Sequence, residues 1–427
     1  MKTKIISSLL FVMLLLVFSQ SKAQFSIQAE FRPRLEYRYG YSQPPADTSD
    51  PAFFVSQRTR LSFLYIGKGI TGKLTLQDVR TWGDEQMNSS VATISIYEAW
   101  FDLKLHDSLS LKVGRQELLY DNERVMAKND WRQTGRVHDA AVFKGSFSGW
   151  KMDIGLAFNQ QQENTFGTNY DNTQPDIKGN YKTLAFLWVT KNFRMFKIGL
   201  LGLSDGFQKT GTTSTIYLRG TFGGAITYYR NNFDITFRSY YQMGKTQQGQ
   251  DISAYYINPE LNWNIRKKFL ITPGMEYVSG KDALNKDDKQ YRTFNLLYGT
   301  GHKFMGHMDL FTDMQRDTKN AGLVNLFIRT TFTLSQKIAL KLDYNYFAIQ
   351  NNYPDPASGE AISKYLGSEF DINCKVDFSK SISLLFGYSF TLDTPSMDVI
   401  KGGDSNLWTD WAFVMLTLKP TFFSTEK

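Results

Sequence analysis

The chain has 427 residues, of which 15% are aromatic, and 49 lysines and arginines stand against 41 aspartates and glutamates. The formal net charge of +8 is too small an excess to require a nucleic-acid partner. The single cysteine, Cys374, excludes an intramolecular disulfide framework, and the 11 prolines exclude a proline-rich disordered chain.

Residues 1–23 have the three parts of a secretory signal peptide. Two lysines form the positive part, residues 5–18 are an apolar stretch too short to span a bilayer, and Ser-Lys-Ala at 21–23 is a small-x-small cleavage site. We therefore expect a mature chain that begins at Gln24 and forms one barrel domain over residues 24–427. Because the leader carries three lysines and no acid, the mature chain keeps 46 basic residues against 41 acidic ones.

The first segment after this leader, QFSIQAEFRPRLEYRY at 24–39, alternates apolar and polar side chains. This period of two predicts a β-strand with one apolar and one polar face. The polar face carries Arg32, Arg34 and Arg38, and an arginine that faces lipid at mid-bilayer costs about 2–4 kcal/mol. If the apolar face contacts lipid, the arginine face must therefore border water.

Alternating segments of this kind recur along the whole chain. Eight short connections join them in pairs, at 67–69, 106–107, 146–149, 192–193, 231–232, 266–268, 335–336 and 379–380. Nine long polar stretches separate the pairs, at 40–52, 81–92, 117–135, 160–181, 205–213, 244–251, 280–322, 348–364 and 393–406. Seventeen connections join eighteen strands. We therefore predict an all-β fold, a transmembrane antiparallel β-barrel of about 18 strands with short periplasmic turns and long extracellular loops.

One further segment, residues 291–300, also alternates and could be a nineteenth strand. An even number of strands is the rule for such barrels and keeps both termini on the periplasmic side. We therefore assign this segment to the long loop 280–322, as an excursion folded into the lumen.

The same alternation selects inward-facing charges on other strands. It places Arg58 and Arg60 of the second strand, Glu98 of the fourth, and Arg219 and Arg238 of the tenth and eleventh in the lumen. Two interpretations stay open. Arginines and acids can pair across strands and pack the interior. Alternatively, some arginines stay unpaired and offer anions a path, since a guanidinium is always charged and grips carboxylates with two donors.

A segment near the C-terminus repeats the alternation with acids. Residues 365–378 point Glu369 and Asp371 inward, and Ile372 and Cys374 toward lipid. The lumen is thus mixed in sign. We expect Cys374 to be a small apolar filler rather than a reactive thiol.

Enzymatic chemistry finds little support in the sequence. The chain has no GxSxG, HExxH or phosphate-binding glycine loop, and its four histidines are scattered. His302, His307 and Asp309 could suggest a metal site, but their spacing on a glycine-rich loop favours ordinary loop structure. We expect no enzyme activity, no cofactor and no metal. A receptor or surface-adhesion barrel remains as an alternative of another class.

Five motifs between residues 57 and 143 carry more than a strand rhythm. They are QRTRLSF, LTLQDVRTWG, IYEAWFDL, KVGRQELLYDNERV and NDWRQTGRVHDAAVF, and LLYGTGHKFMGHMDLF follows at 296–311. The series resembles the alginate export family of outer-membrane porins. The resemblance implies an eighteen-stranded barrel with a basic constriction that conducts an anionic polysaccharide. Carried over by motif, it implies pore residues at Asp78, Arg80, Glu98, Arg115, Arg136 and Asp139.

The combined hypothesis is an outer-membrane channel for passive, anion-preferring diffusion that exports an acidic polysaccharide such as alginate. The alternatives are uptake of small anionic solutes or oligosaccharides, and a non-conducting surface-binding barrel. The expected partners are outer-membrane lipid, the anionic solute and a periplasmic export partner, without nucleic acid. The candidate pore residues are Arg32, Arg34, Arg58, Arg60, Asp78, Arg80, Glu98, Arg115, Arg136, Asp139, Arg219 and Arg238.

Overall fold

A computed structural model of the protein describes residues 23–88, 93–170, 180–209, 211–212, 214–266 and 268–425. The predicted signal peptide lies outside these residues, apart from Ala23 at its end. Within the described ranges, no helix is long and apolar enough to cross a membrane.

The described residues form strands with two short helices. The strands are β1 (Gln24–Tyr39), β2 (Ala52–Gly67), β3 (Ile70–Thr81), β4 (Ser95–His106), β5 (Leu109–Gln116), β6 (His138–Phe147), β7 (Trp150–Phe158), β8 (Thr183–Asn192), β9 (Phe196–Gln208), β10 (Ile216–Arg230), β11 (Phe233–Lys245), β12 (Asp251–Ile265), β13 (Phe269–Val278), β14 (Leu323–Thr333), β15 (Ile338–Ile349), β16 (Tyr365–Ser379), β17 (Ile382–Asp393), β18 (Thr409–Leu418) and β19 (Thr421–Ser424). The helices are α1 (Met314–Asp317) and α2 (Pro395–Lys401).

The strands close into one antiparallel barrel. Each of β1 to β18 pairs with its neighbours in the sequence, and β1 pairs with both β2 and β18. Strand β19 continues the line of β18 and pairs with β1, with Ile27 opposite Phe423. Pro420 lies between the two pieces and has no backbone N–H to donate, which explains the interruption. The predicted eighteen-strand barrel is therefore confirmed for the described chain.

Short turns lie at one end of the barrel and longer loops at the other, as predicted. Some strands are longer than the sequence pattern indicated. Strand β9 continues to Gln208, past the predicted end at Ser204, because Asp205 reaches inward to pair with Arg219 of β10. Residues 291–300 form no strand of their own. They make only isolated bridges, Tyr291 with Ile252 and Tyr298 with Met126, so the assignment of this segment to a loop is confirmed.

The two faces of the wall differ as a bilayer requires. On β10, Phe222 and Ile226 are 51% exposed, whereas Thr221 and Ala225, each one residue before them, are buried. On β16, Ile372 is exposed and Cys374 on the same face is half-buried, while Glu369 and Asp371 are buried. Apolar side chains exposed on one face with buried polar ones on the other are typical of a barrel solvated by lipid.

Two loops fold into the lumen and form the core of the molecule. The β5–β6 loop (residues 117–137) contributes Leu118 and Met126 to it, and the β13–β14 loop (residues 279–322) contributes Phe294, Met308 and Phe311. Each of these five side chains is nearly or completely buried. The hydrophobic core of this barrel therefore lies inside its wall, between the two loops, rather than between packed sheets.

Candidate functional site

Arginines of β1 and β2 hold the β5–β6 loop in the lumen. Arg32 donates to the Gln133 side chain from Nε at 3.1 Å and to the backbone oxygen of Asp130 from Nη2 at 2.9 Å. Arg58 donates to Asp130 Oδ1 at 2.9 Å and also bonds Glu30. Burial alone would raise the pKa of Asp130, but Arg58 and Arg32 outweigh it and hold that pKa well below its ordinary value.

Arg34 and Arg38 share one buried acid. Arg34 Nε donates to Glu36 Oε1 at 2.8 Å, and Arg38 Nη2 donates to Glu36 Oε2 at 2.7 Å. Arg34 also donates to the Trp131 backbone oxygen at 2.9 Å and lies over the Trp131 ring at 4.0 Å. Glu36 thus offsets one of the two positive charges, and Arg34 braces the same inward loop.

Arg60 has no carboxylate within 4 Å among the residues that the structure describes. Its Nε donates to Gln77 at 2.7 Å, its guanidinium lies 3.5 Å from the centre of the Tyr97 ring, and its buried Nη2 has no hydrogen-bond partner among the described residues. Gly135 passes directly above it with φ +67°, where a Cβ would stand 2.6 Å from the Tyr97 hydroxyl and 2.8 Å from Nη2. The loop approaches Arg60 this closely because residue 135 lacks a side chain.

On the opposite wall, the inward arginines pair with acids. Arg219 Nε bonds Asp205 at 3.0 Å, and the same carboxylate accepts from Tyr298 of the β13–β14 loop at 2.6 Å. Arg238 bonds Asp121 of the β5–β6 loop at 2.7 Å and Glu260 at 3.1 Å. Wall charges therefore fix both inward loops, as the packing interpretation expects.

Glu98 belongs to a lysine-rich patch on the lumen side of β3 to β7. It bonds Lys73 and accepts from Trp100 Nε1 at 2.9 Å. Lys112 lies 3.8 Å from the centre of the Trp100 ring, and no carboxylate of the described chain lies within 4 Å of its ammonium. Of this patch, only Glu98 was among the residues selected from the sequence; its lysines were not selected, although strand alternation places them on one face.

Four of the selected residues face away from the lumen. Asp78 and Arg80 have the strand parity of Leu74, which is exposed on the outer face of β3, and they bond one another at 2.8 Å. Arg115 and Asp139 stand opposite each other on β5 and β6 with the parity of outward Val113 and Phe143, and they bond at 3.0 Å.

The sequence placed these four charges in the pore through motif resemblance, and the observed register corrects that placement. All four lie near the extracellular ends of their strands, next to the long loops. An outward charge is tolerated there because the hydrocarbon ends below it, and its cost falls to about 0–1 kcal/mol near the interface.

Arg136 sits in the β5–β6 loop and meets the β13–β14 loop. It donates to the Gly299 backbone oxygen at 2.8 Å, and no described carboxylate lies within 4 Å of it. Burial, with the neighbouring Arg132 charge, lowers the pKa of Arg136 to about 10, so it stays cationic at neutral pH. Arg132, Arg136 and Thr312 line a cavity of about 180 Å³ between the two loops.

The β13–β14 loop is fixed to β15 and β16 by an acid and histidine cluster. The backbone N–H of Met308 donates to Glu369 at 2.8 Å. His307 accepts or donates at 2.8 Å with Asn373 and lies 3.7 Å from Asp371. Burial lowers the pKa of His307 although Asp371 opposes that effect.

His302, the other histidine of this loop, bonds Asp309 at 3.2 Å and stacks on Trp131 at 3.7 Å. Within the part of the chain that the structure describes, no three or more histidines, cysteines or acids are grouped as metal ligands would be.

The comparisons with known proteins agree with this architecture. The family model described as alginate export matches residues 23–391. The chain belongs to the alginate export family. Among solved structures, it resembles the outer membrane protein OpdK from Pseudomonas aeruginosa with a TM-score of 0.59 at 10% identity, over 94% of this chain and 99% of that one. No curated protein sequence matches the chain significantly.

Two further structures of other proteins show the same fold. Pseudomonas aeruginosa OccK9 (OpdG) aligns with a TM-score of 0.61 at 12% identity, over 93% of this chain and 98% of that one. Acinetobacter baumannii OccAB1 aligns with a TM-score of 0.61 at 10% identity, over 95% and 99%. Family and fold are those of outer-membrane channels, which are not enzymes. This member of the alginate export family is therefore a channel of the outer membrane.

Proposed function

We propose that this channel conducts anions in preference to cations by passive diffusion, and that it exports an acidic saccharide, with alginate or a related uronate polymer as the solute class. The main support is a set of lumen cations that have no acidic partner within 4 Å in the described chain. They are Arg60, Lys112, Arg132, Arg136 and Lys151.

These cations lie at successive depths of the lumen. Lys151 lines a cavity of about 320 Å³ at the end with the short turns. Lys112 and Arg60 lie further along the wall, and Arg132 and Arg136 line the cavity between the two inward loops. Several weak cationic sites in sequence allow an anion to pass from one to the next, whereas a single tight site would hold it.

Four of the lumen acids are covered or paired, although Asp313 also lines the inter-loop cavity and Asp153 the cavity of Lys151. Glu369 is fully buried and Asp371 nearly so, beneath the segment of the β13–β14 loop that contains His307 and Met308. Asp205 and Glu36 are fully buried as well and bond arginines. Asp205 and Glu36 oppose anion passage less than the unpaired cations favour it, because a nearby opposite charge cancels most of their field. Glu369 and Asp371 are instead separated from the solute path by the loop segment that covers them.

Charge neutralisation at the inter-loop cavity tests the selectivity. A channel with Arg132→Gln and Arg136→Gln is compared, in planar bilayers under a salt gradient, with one carrying Arg80→Gln and Arg115→Gln. Both variants lose two positive charges, but only the first pair lines the lumen. We expect the anion-to-cation permeability ratio to fall about threefold to fivefold in the lumen variant, as the loss of roughly 1 kcal/mol implies. The outward variant should keep the wild-type reversal potential, and an equal shift in both would refute the role of the cavity.

A second candidate, uptake of small anionic solutes, has one observation in its favour. The two inward loops pack Met126, Phe294 and Phe311 across the middle of the barrel, which leaves cavities of a few hundred cubic ångströms for a solute.

The solute is tested with oligouronates of increasing length added to single channels, beside neutral oligosaccharides of equal length. If oligouronates still enter and block the channel current as their length increases, and still pass through, the result supports export of a polymer. Passage of monomers and dimers alone supports uptake, and absence of conductance supports a non-conducting barrel.

A further inference from the structure

The end of the barrel with the short turns carries a ring of cations. Positive side chains occur in or beside six of its eight hairpin turns, at Lys68, Arg194, Arg230, Arg266, Lys268, Lys337 and Lys380. All seven are exposed, and none has a carboxylate within 4 Å in the described chain. The one acid within these turns is Asp107, which bonds Lys104 at 2.7 Å. The ring is therefore a net positive surface whose charge nothing in the described chain neutralises.

Exposed aromatic side chains lie next to these cations, on the side toward the middle of the barrel. Phe193 and Phe196 flank Arg194, Trp263 precedes Arg266, and Phe378 precedes Lys380. Each of these rings is more than 40% exposed on the surface of the wall. Aromatic girdles mark the depth at which hydrocarbon gives way to headgroups, so the cations lie at the level of the phosphates.

Lys191, next to the β8–β9 turn, adds an eighth cation to the ring, and two of these cations show which way part of the ring faces. Arg230 follows exposed Ile226 at an even spacing on β10, and so continues its lipid-facing side. Lys191 has the parity of exposed Leu187 on β8, and its ammonium lies 4.9 Å from the centre of the Trp150 ring. These two charges therefore face the surrounding leaflet and not the water of the lumen.

We propose that this ring binds the phosphates of anionic phospholipids in the periplasmic leaflet and so surrounds the channel with them. Basic residues next to a membrane surface attract anionic lipids with a gain of about fivefold in binding per charge. An acidic solute at the channel mouth would instead meet the lumen-facing lysines of the same end. The inference does not depend on the solute, and its test uses no transport measurement.

The test uses matched pairs of neutralised lysines and arginines in vesicles of phosphatidylethanolamine. One variant carries Lys191→Gln and Arg230→Gln. The control carries Lys151→Gln and Lys197→Gln, which removes the same charge from the same end, but from the lumen side, where these two lysines line cavities. Brominated phosphatidylglycerol and brominated phosphatidylethanolamine are added in turn, and quenching of tryptophan fluorescence, to which Trp150 contributes, reports which lipid contacts the barrel.

We expect phosphatidylglycerol to quench the wild-type protein at a concentration about threefold to fivefold lower than phosphatidylethanolamine does. This ratio should fall in the outward variant, which keeps the other cations of the ring, and should persist in the control. The wild-type preference should also weaken in about 0.5 M salt, because exposed charges are screened within a few ångströms. Equal quenching of the wild-type protein by both lipids would overturn the proposal. So would a preference that the lumen-side control loses.

Discussion

Arg58 and Arg115 show how differently the same side chain can act in one wall. Arg58 is fully buried in the lumen, where it bonds Glu30 and Asp130. Arg115 is 42% exposed on the outer face and bonds one acid that is 62% exposed. The Arg58 pairs stand in a low dielectric and connect two elements, whereas the Arg115 pair is surrounded by solvent.

Neutralising these two arginines should therefore have unequal effects on stability. We expect Arg58→Gln to lower the free energy of unfolding by about 2 kcal/mol, because Glu30 and Asp130 would lose one of the two arginines that they share and would keep only the other, Arg32. Arg115→Gln should change it by less than about 1 kcal/mol. Urea-induced unfolding of the barrel in lipid vesicles, followed by tryptophan fluorescence, measures both. Equal losses would mean that Arg58 does not anchor the β5–β6 loop.

For single residues, the sequence correctly predicted the inward face where apolar and polar side chains alternate regularly along the strand. Arg32, Arg34, Arg58 and Arg60 lie inside as expected, because an arginine facing hydrocarbon would be too costly. Asp78 and Arg115 were misplaced because motif resemblance, which carries no information about the face of a strand, assigned them to the pore. Near the rim the wall borders water on both sides, so an outward charge is tolerated there. The partners of the inward arginines could not be predicted either, since Asp130 and Gln133 belong to a loop whose path depends on tertiary contacts.

At the scale of elements, the inward position of the β13–β14 loop depends on one close approach. Gly306 has φ +82°, and a Cβ there would lie 2.2 Å from a Glu369 carboxylate oxygen. Glu369 accepts from the backbone N–H of Met308 two residues later. A side chain at 306 must therefore displace the carboxylate that holds the segment against β16.

We expect Gly306→Ala to loosen this segment and to raise the single-channel conductance and its noise. Gly359→Ala is the matched control, because Gly359 has a similar φ of +74° but nothing within 4 Å of its Cβ position. Both variants carry the backbone cost of alanine at positive φ, about 1–2 kcal/mol, and only the first has the clash. Planar-bilayer recordings compare them with the wild-type channel. If both raised the conductance equally, backbone strain rather than the contact with Glu369 would be the cause.

At this scale, the sequence predicted the strands but not the path of every loop. Parity excluded 291–300 from the wall, and the structure agrees. The β5–β6 loop read only as a long polar stretch, yet it crosses the lumen. Most of its apolar residues fall into two short runs, 118–120 and 125–127, on either side of four polar residues, so no periodic pattern marked it as part of a core.

At the scale of the whole molecule, the apolar surface of this protein lies on the outside of the barrel. Its ion pairs lie on the inside, around a core formed by the β5–β6 and β13–β14 loops. Phe222, Ile226 and Phe237 are each 51% exposed on the outer wall. Such a surface exceeds the apolar patches that soluble monomers tolerate. We expect the mature chain to stay folded and monodisperse only in detergent or lipid, and sedimentation after detergent removal checks this. A detergent-free soluble monomer would contradict the barrel's membrane location.

Cys374 is a single, naturally occurring site for chemical labelling of the channel wall. Its thiol stands half-buried on the hydrocarbon side of β16, and the chain has no other cysteine. A water-soluble thiol reagent reaches it only before the strand enters the bilayer, whereas an oil-soluble reagent still reaches it after insertion. Loss of labelling of Cys374 by the water-soluble reagent therefore reports, in the unaltered protein, when β16 enters the bilayer.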